Sequence, residues 1–191
     1  METKQPNWNA LYEIAAGQDG HFTTAQAIEA GYSAPLVAYH LRKGRFVRVL
    51  RGVYRLAQFP AGEHEDLVAL WLWSGREGVF GFETALALHE LSDALPSRVH
   101  LILPESWRGR RLRVPASAVC VHADVADNDR AWVGCFPATA PARTIRDCAT
   151  AHVAPDLVRQ AVDEGLRRGL FARVDVETVE RYLTTFGTGR A

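Results

Sequence analysis

The sequence has no apolar run long enough to cross a membrane. Its longest, Leu67 to Trp73, is seven residues, against the roughly 20 that a spanning helix needs. The opening segment, Met1-Glu2-Thr3-Lys4-Gln5-Pro6-Asn7, is polar with no apolar stretch behind it, so no secretory leader is expected. Cysteine is scarce. Cys120, Cys135 and Cys148 are odd in number and show no CxxC spacing, which excludes an even disulfide framework and suits a reducing cytoplasm. There is no GxGxxG, no Walker sequence and no GxSxG, so nucleotide-loop and serine-hydrolase chemistry find no footing. Internal repeats and low-complexity segments are also lacking. Lysine is nearly absent, at 2 residues against 20 arginines.

The most informative absence is local. Net charge is zero, with 22 basic and 22 acidic residues, and that balance alone argues against a nucleic-acid partner. Yet no acidic residue occurs between Ala30 and Gly62, where Arg42, Lys43, Arg45, Arg48, Arg51 and Arg55 all fall. Residues 1–59 carry +3 and residues 60–191 carry −3. A phosphate backbone meets local charge, not the sum.

What is present in that segment has a recognisable order. Leu11, Ile14 and Ala15 lie at helical spacing and predict a helix over 8–16, ended by Gly17 and Gly20. Thr23 or Thr24 caps a second helix, Ala25 to Ala30, closed by Gly31. Ser33 caps a third, Ala34 to Lys43, with Pro35 in its first turn and Gly44 as its stop. Tyr32 and Val37 are spaced as a hydrophobic staple. Two β-rich runs follow, Phe46–Leu50 and Val53–Leu56, joined by Arg51-Gly52 as a hairpin. A helix, a helix-turn-helix and a hairpin with arginine at its tip make a winged helix.

In such a module the third helix enters the major groove. Val37 and Leu41 are expected inward, leaving Ser33, Ala34, Pro35, Ala38, Tyr39 and Arg42 outward. The small Ala34 and Ala38 permit close approach and contact with a thymine methyl. Tyr39 and Arg42 reach bases or phosphates, while Lys43, Arg45, Arg48 and Arg55 suit the backbone. Arg51 at the wing tip suits a narrow minor groove. The plainer reading is that these are helix-end and strand charges in solvent, or that the module contacts protein. His21 is expected in a surface loop, and His40 either against the wing or on DNA.

Pro60-Ala61-Gly62 breaks the pattern, so we place a domain boundary there: a winged helix over 1–59 and a mixed α/β domain over 60–191, an α+β chain overall. The expected second-domain elements are helices over 65–74 and 83–91, then strands over 98–103, 112–114, 118–122 and 132–136. Helices over 141–149 and 155–168 follow, and a last one is capped by Asp175.

Three stretches of the first domain are Gly31-Tyr32-Ser33, Leu41-Arg42-Lys43-Gly44-Arg45-Phe46 and Arg51-Gly52-Val53-Tyr54-Arg55-Leu56. With Glu83-Thr84-Ala85-Leu86-Ala87-Leu88-His89-Glu90-Leu91 and Pro137-Ala138-Thr139-Ala140-Pro141-Ala142-Arg143-Thr144-Ile145-Arg146-Asp147, their order resembles AbiEi-type antitoxins over most of the chain. The resemblance implies a type IV antitoxin that represses its own promoter through inverted repeats in double-stranded DNA. It also implies a second domain opposing a nucleotidyltransferase-like toxin encoded alongside. Similar modules head longer chains with a nuclease-like domain, which is not expected here.

Several side-chain groups invite chemistry. Arg108, Arg110, Arg111 and Arg113 fall within six residues; a solvated loop is the ordinary reading, a second phosphate- or partner-binding patch the sharper one. Cys120, His122, Cys135, Cys148 and His152 are zinc-ligand types, but their long spacings point to core cysteines instead, so no metal or cofactor is expected. Glu83, His89 and Glu90 are the best acid–base set, yet no nucleophile accompanies them, so no enzyme activity is expected. Trp71, Trp73 and Trp107 could line a ligand pocket, and a winged-helix regulator with a ligand- or protein-binding second domain is the alternative function. No heptad argues for a strong dimer, so two copies either pre-form or assemble on DNA.

Overall fold

A computed structural model describes residues 5–187, which form two compact units divided between Glu77 and Gly78. In the first, α1 (Trp8–Ala16), β1 (His21–Thr23), α2 (Thr24–Glu29), α3 (Ala34–Arg42), β2 (Phe46–Leu50) and β3 (Val53–Leu56) follow in order. The three strands pair antiparallel as β1-β3-β2. This is the winged-helix order, with one strand that the sequence reading missed: β1 is three residues long, too short for any alternation to register. Its pairing of Phe22 with Tyr54 closes the sheet beneath the helices.

The core of this unit is Leu11, Ala15, Phe22, Ala27, Tyr32, Val37, Phe46 and Leu56, one contribution from nearly every element. Phe22 lies at its centre, fully buried, edge-on to Phe46 at 4.9 Å and stacked on Tyr54 at 5.7 Å. A large side chain buried this way stabilises by about 1.5–3 kcal/mol.

Pro60-Ala61-Gly62 does interrupt regular structure, but the compact division comes later, between Glu77 and Gly78. The reason is α4 (Glu65–Trp73), in which Val68, Ala69, Leu70, Trp71 and Leu72 are all buried. So apolar a helix needs cover, and it packs against β1, β2 and β3.

The second unit is a five-stranded mixed sheet with helices. Its strands are β4 (Val79–Phe80), β5 (Val99–Leu103), β6 (Ala118–His122), β7 (Arg130–Val133) and β8 (Phe136–Thr139), in the order β6-β5-β4-β8-β7. β5 and β6 run parallel, as do β4 and β8; the other neighbours are antiparallel. Helices α5 (Phe82–Leu88), α6 (Pro141–Thr150), α7 (Pro155–Arg167) and α8 (Glu177–Gly187) share a core of Leu86, Leu91, Ile145, Cys148, Val158, Ala161, Val162 and Val179.

Three expectations for this region change. The strand expected over 112–114 is irregular backbone, because β6 already occupies the edge of β5 beside it. The strand over 132–136 is instead a hairpin, β7 and β8, turning at Gly134-Cys135. Asp175 caps a 3-10 turn, Arg173–Val176, by accepting from the Ala172 amide at 2.8 Å, and α8 starts only after it. Among the described residues no helix is long and apolar enough to cross a membrane.

The weight placed on Phe22 is testable. Phe22→Ala should lower the unfolding free energy of the first unit by about 3–5 kcal/mol, read from the urea midpoint by circular dichroism.

Candidate nucleic-acid interface

The candidate interface is built by how α2 and α3 begin and end. Thr23 Oγ accepts from the Gln26 amide at 3.2 Å, and Gln26 Oε1 accepts from the Thr23 amide at 2.8 Å, a reciprocal capping box. α2 then ends in a tight turn: the Tyr32 amide donates to the Ala27 carbonyl and the Gly31 amide to that of Ile28, both at 2.9 Å. Ser33 Oγ caps α3 by accepting from the Leu36 amide. α3 stops through the same double bond pattern, Arg45 to His40 and Gly44 to Leu41, with Gly44 at φ +67° where a side chain would be strained.

These ends set which face of α3 is free. Val37 and His40 are buried, with His40 4.8 Å from the Phe46 ring and 5.6 Å from Tyr32. That settles the two readings of His40 in favour of packing. Ser33, Ala34, Pro35, Tyr39, Arg42 and Lys43 are exposed and Ala38 half-buried, so the outward set stands where periodicity put it. The Lys43 ammonium sits 5.9 Å from the Tyr39 ring centre, close enough for a weak cation–π contact.

The wing continues this face. Val47, Arg48 and Val49 are exposed in succession, as suits an edge strand that leaves the body of the unit, and the register shifts between Arg48 and Leu50. Arg51 is exposed at the tip. The wing does not swing freely: the Gly52 carbonyl accepts from the Thr24 amide at 2.9 Å, tying the tip to the start of α2. Arg42, Lys43, Arg45, Arg48 and Arg51 form no ion pair among the described residues.

Arg55 differs from the rest. It is half-buried, bridges Glu65 at 2.7 Å and donates to the Phe59 carbonyl at 2.7 Å, so its charge is used to fasten α4 to the sheet. Glu65 lies ten positions away and beyond the Pro60-Ala61-Gly62 break, so spacing alone could not reveal the pair.

His21 is also placed differently from expectation. It is wholly buried rather than in a surface loop, because β1 pairs it with Arg55 in the sheet. Its Nδ1 hydrogen-bonds the Asp19 carbonyl at 2.9 Å, while Nε2 is buried without a partner. Burial holds its pKa below the ordinary imidazole value, opposed by the Asp19 carbonyl bond and by the charge of Glu65.

The other candidate groups separate. Glu83 faces His100 at 3.7 Å, Glu90 is exposed, and His89 is turned to the Thr139 carbonyl at 2.8 Å. Burial lowers the His89 pKa. These three do not converge on one reacting position. Cys148 is buried in the helical core and Cys120 half-buried on β6; burial pushes both thiols up, away from reactivity. Among the described residues no three His, Cys, Asp or Glu side chains gather as metal ligands. Trp71 and Trp73 belong to the first unit and Trp107 to the second. A groove of about 800 Å³ between the end of α5 and α7 has no tryptophan in its lining, which includes Glu90, Asp93, Asp163 and Glu164 beside Arg167.

The sequence reading missed a polar junction in the second unit. Arg143 bridges Asp129 and Asp147, each at 2.8 Å, and Arg146 reaches Asp129 at 3.3 Å. Thr144 hydrogen-bonds Thr139 at 2.6 Å. These bonds join α6 to the β7–β8 hairpin, and the His89 bond adds α5. The stretches 83–91 and 137–147 therefore meet in space through these bonds.

Comparison with known proteins agrees with this geometry. Residues 9–57 match the family described as transcriptional regulator, AbiEi antitoxin. That match ends at the base of the wing. The crystal structure of the RV2827C protein from Mycobacterium tuberculosis is similar over 99% of this chain and 74% of that one, with a TM-score of 0.54 and 18% identity, which shows a shared fold. No curated protein matches the chain.

The buried imidazole of His21 predicts an acid sensitivity. An unfolded histidine titrates near about 6.5, and the folded pKa lies lower. The stability it contributes is full above the unfolded value and is lost as pH falls toward the folded one. The first unit should therefore melt at lower temperature at pH 5 than at pH 7.5, and His21→Gln should reduce that difference.

Proposed function

We propose that this chain, whose residues 9–57 carry the module of the AbiEi antitoxin family of transcriptional regulators, is a sequence-specific DNA-binding repressor of its own promoter. The observation that carries the reading is the face of α3 and the wing. It is exposed, basic and free of acidic residues, and is held rigid by caps at both helix ends. Docking is anchored by phosphates: Lys43, Arg45 and Arg48 set position on the backbone and Arg51 reaches the neighbouring minor groove. Ser33, Ala34, Pro35, Ala38, Tyr39 and Arg42 read the major groove. Arg55 leaves that set, since its charge is committed to Glu65.

The family further supports an antitoxin role, in which the second unit opposes a nucleotidyltransferase-like toxin. Two copies then occupy an inverted repeat, assembling on the DNA, and the protein works in the cytoplasm.

A gel-shift titration against the DNA upstream of its own gene, with scrambled duplex as competitor, tests the reading. Arg42→Ala should cost about 1–3 kcal/mol on the cognate site and relax its sequence preference. Lys43→Ala should weaken all duplexes alike. Binding no tighter than to scrambled DNA would sink the proposal. Arg55→Ala should leave the salt dependence of binding unchanged but lower the stability of the first unit by about 1.5–3 kcal/mol, because it removes charged hydrogen bonds.

A further inference from the structure

The crossover between β5 and β6 is the most arginine-dense stretch of the second unit. Parallel neighbours need a long connection, most often a helix that covers the sheet. Residues 104–117 provide it with only a 3-10 turn, Glu105–Trp107, followed by irregular backbone. Arg108, Arg110, Arg111 and Arg113 stand on this loop, all exposed, and no acidic residue occurs from Ser106 to Ala123.

The four arginines do not share one environment. Arg108 is used within the unit, paired with Glu105 and donating to the His122 carbonyl at 3.2 Å, so it shapes the loop. Arg110 lies 4.7 Å over the Trp107 ring, which narrows the positions its guanidinium can take. Arg110, Arg111 and Arg113 form no ion pair among the described residues. Three like charges within four residues repel one another, and a polyanion that neutralises them relieves that repulsion. The guanidinium fork matches phosphate oxygens in pairs.

We propose that the Trp107–Arg113 loop is a second nucleic-acid contact, in which Arg110, Arg111 and Arg113 neutralise duplex phosphates and add affinity without sequence preference. This rests on the DNA-binding reading of the first unit. That reading also favours DNA over an acidic protein as the occupant, because a duplex presents a regular row of phosphates that guanidinium forks match in pairs, while carboxylates on a protein surface are sparser.

The test uses the full chain, the upstream duplex and a scrambled duplex, with affinity measured by fluorescence anisotropy from 50 to 200 mM salt. Each neutralised phosphate contributes a slope of about 0.9 in log affinity against log salt. The R110A/R111A/R113A variant should be shallower than wild type by up to about 2.7, so that wild type loses roughly 40-fold more affinity than the variant across that range. The preference for upstream over scrambled DNA should be unchanged, and R110K/R111K/R113K should restore the wild-type slope.

An unchanged slope in the alanine variant overturns the inference and leaves the loop to an acidic protein partner or to solvent. A lysine variant as shallow as the alanine one overturns charge neutralisation as the cause. A wild type with no preference for upstream DNA is a different result: it removes the functional reading itself, and the inference with it.

Discussion

Everything the first unit presents to a partner depends on the aromatic contact beneath α3. Tyr32, His40 and Phe46 meet there, and Phe22 closes the group from the sheet. These residues come from the turn before α3, from α3 itself and from the two strands under it. Their packing therefore fixes the angle of the helix and the root of the wing together. An aromatic pair of this kind contributes about 0.5–1.5 kcal/mol beyond the area it buries. Here it also decides orientation, because once Val37 and His40 point inward, Tyr39 and Arg42 have no choice but to point out.

Rigidity at the helix ends serves the same purpose. Reading a groove requires that several side chains arrive in register, and a frayed α2 or α3 would lose that. Both helices start with a side-chain cap and stop with a doubly bonded turn. The Thr24–Gly52 bond adds the wing to the same rigid body. Charge is then distributed by use. Arginines that hold the fold together, Arg55 in the first unit and Arg143 in the second, have carboxylate partners, while those of α3 and the wing have none. A neutral chain can thus offer a basic face, since its acidic residues lie elsewhere.

The second unit is stitched by polar bonds at the point where its sheet meets its helices. The side chains of Thr139, Thr144 and His89 are buried or half-buried there, and each is hydrogen-bonded. A satisfied polar group in a core specifies one arrangement over its alternatives, because any slip leaves it unpaired in low dielectric. That explains why motifs far apart in the chain sit together.

The sequence by itself determined the elements governed by local physics. Helix caps, glycine stops and short runs of β-branched and aromatic residues act within a few residues, so α1, α3, β2 and β3 were legible almost to the residue, and so was the outward face of α3. The absence of acidic residues over 30–62 was equally visible, and it located the basic face. Tertiary structure decided whatever depended on a distant partner. β1 is too short to show a period and exists only because β3 pairs with it. His21 became a core residue for the same reason, and Arg55 became a fastener because α4 delivers Glu65 to it. The compact division moved to 77/78 because an apolar helix seeks cover regardless of the break before it. Burial and ion pairing are set by which surfaces meet, and no window along one chain contains that information.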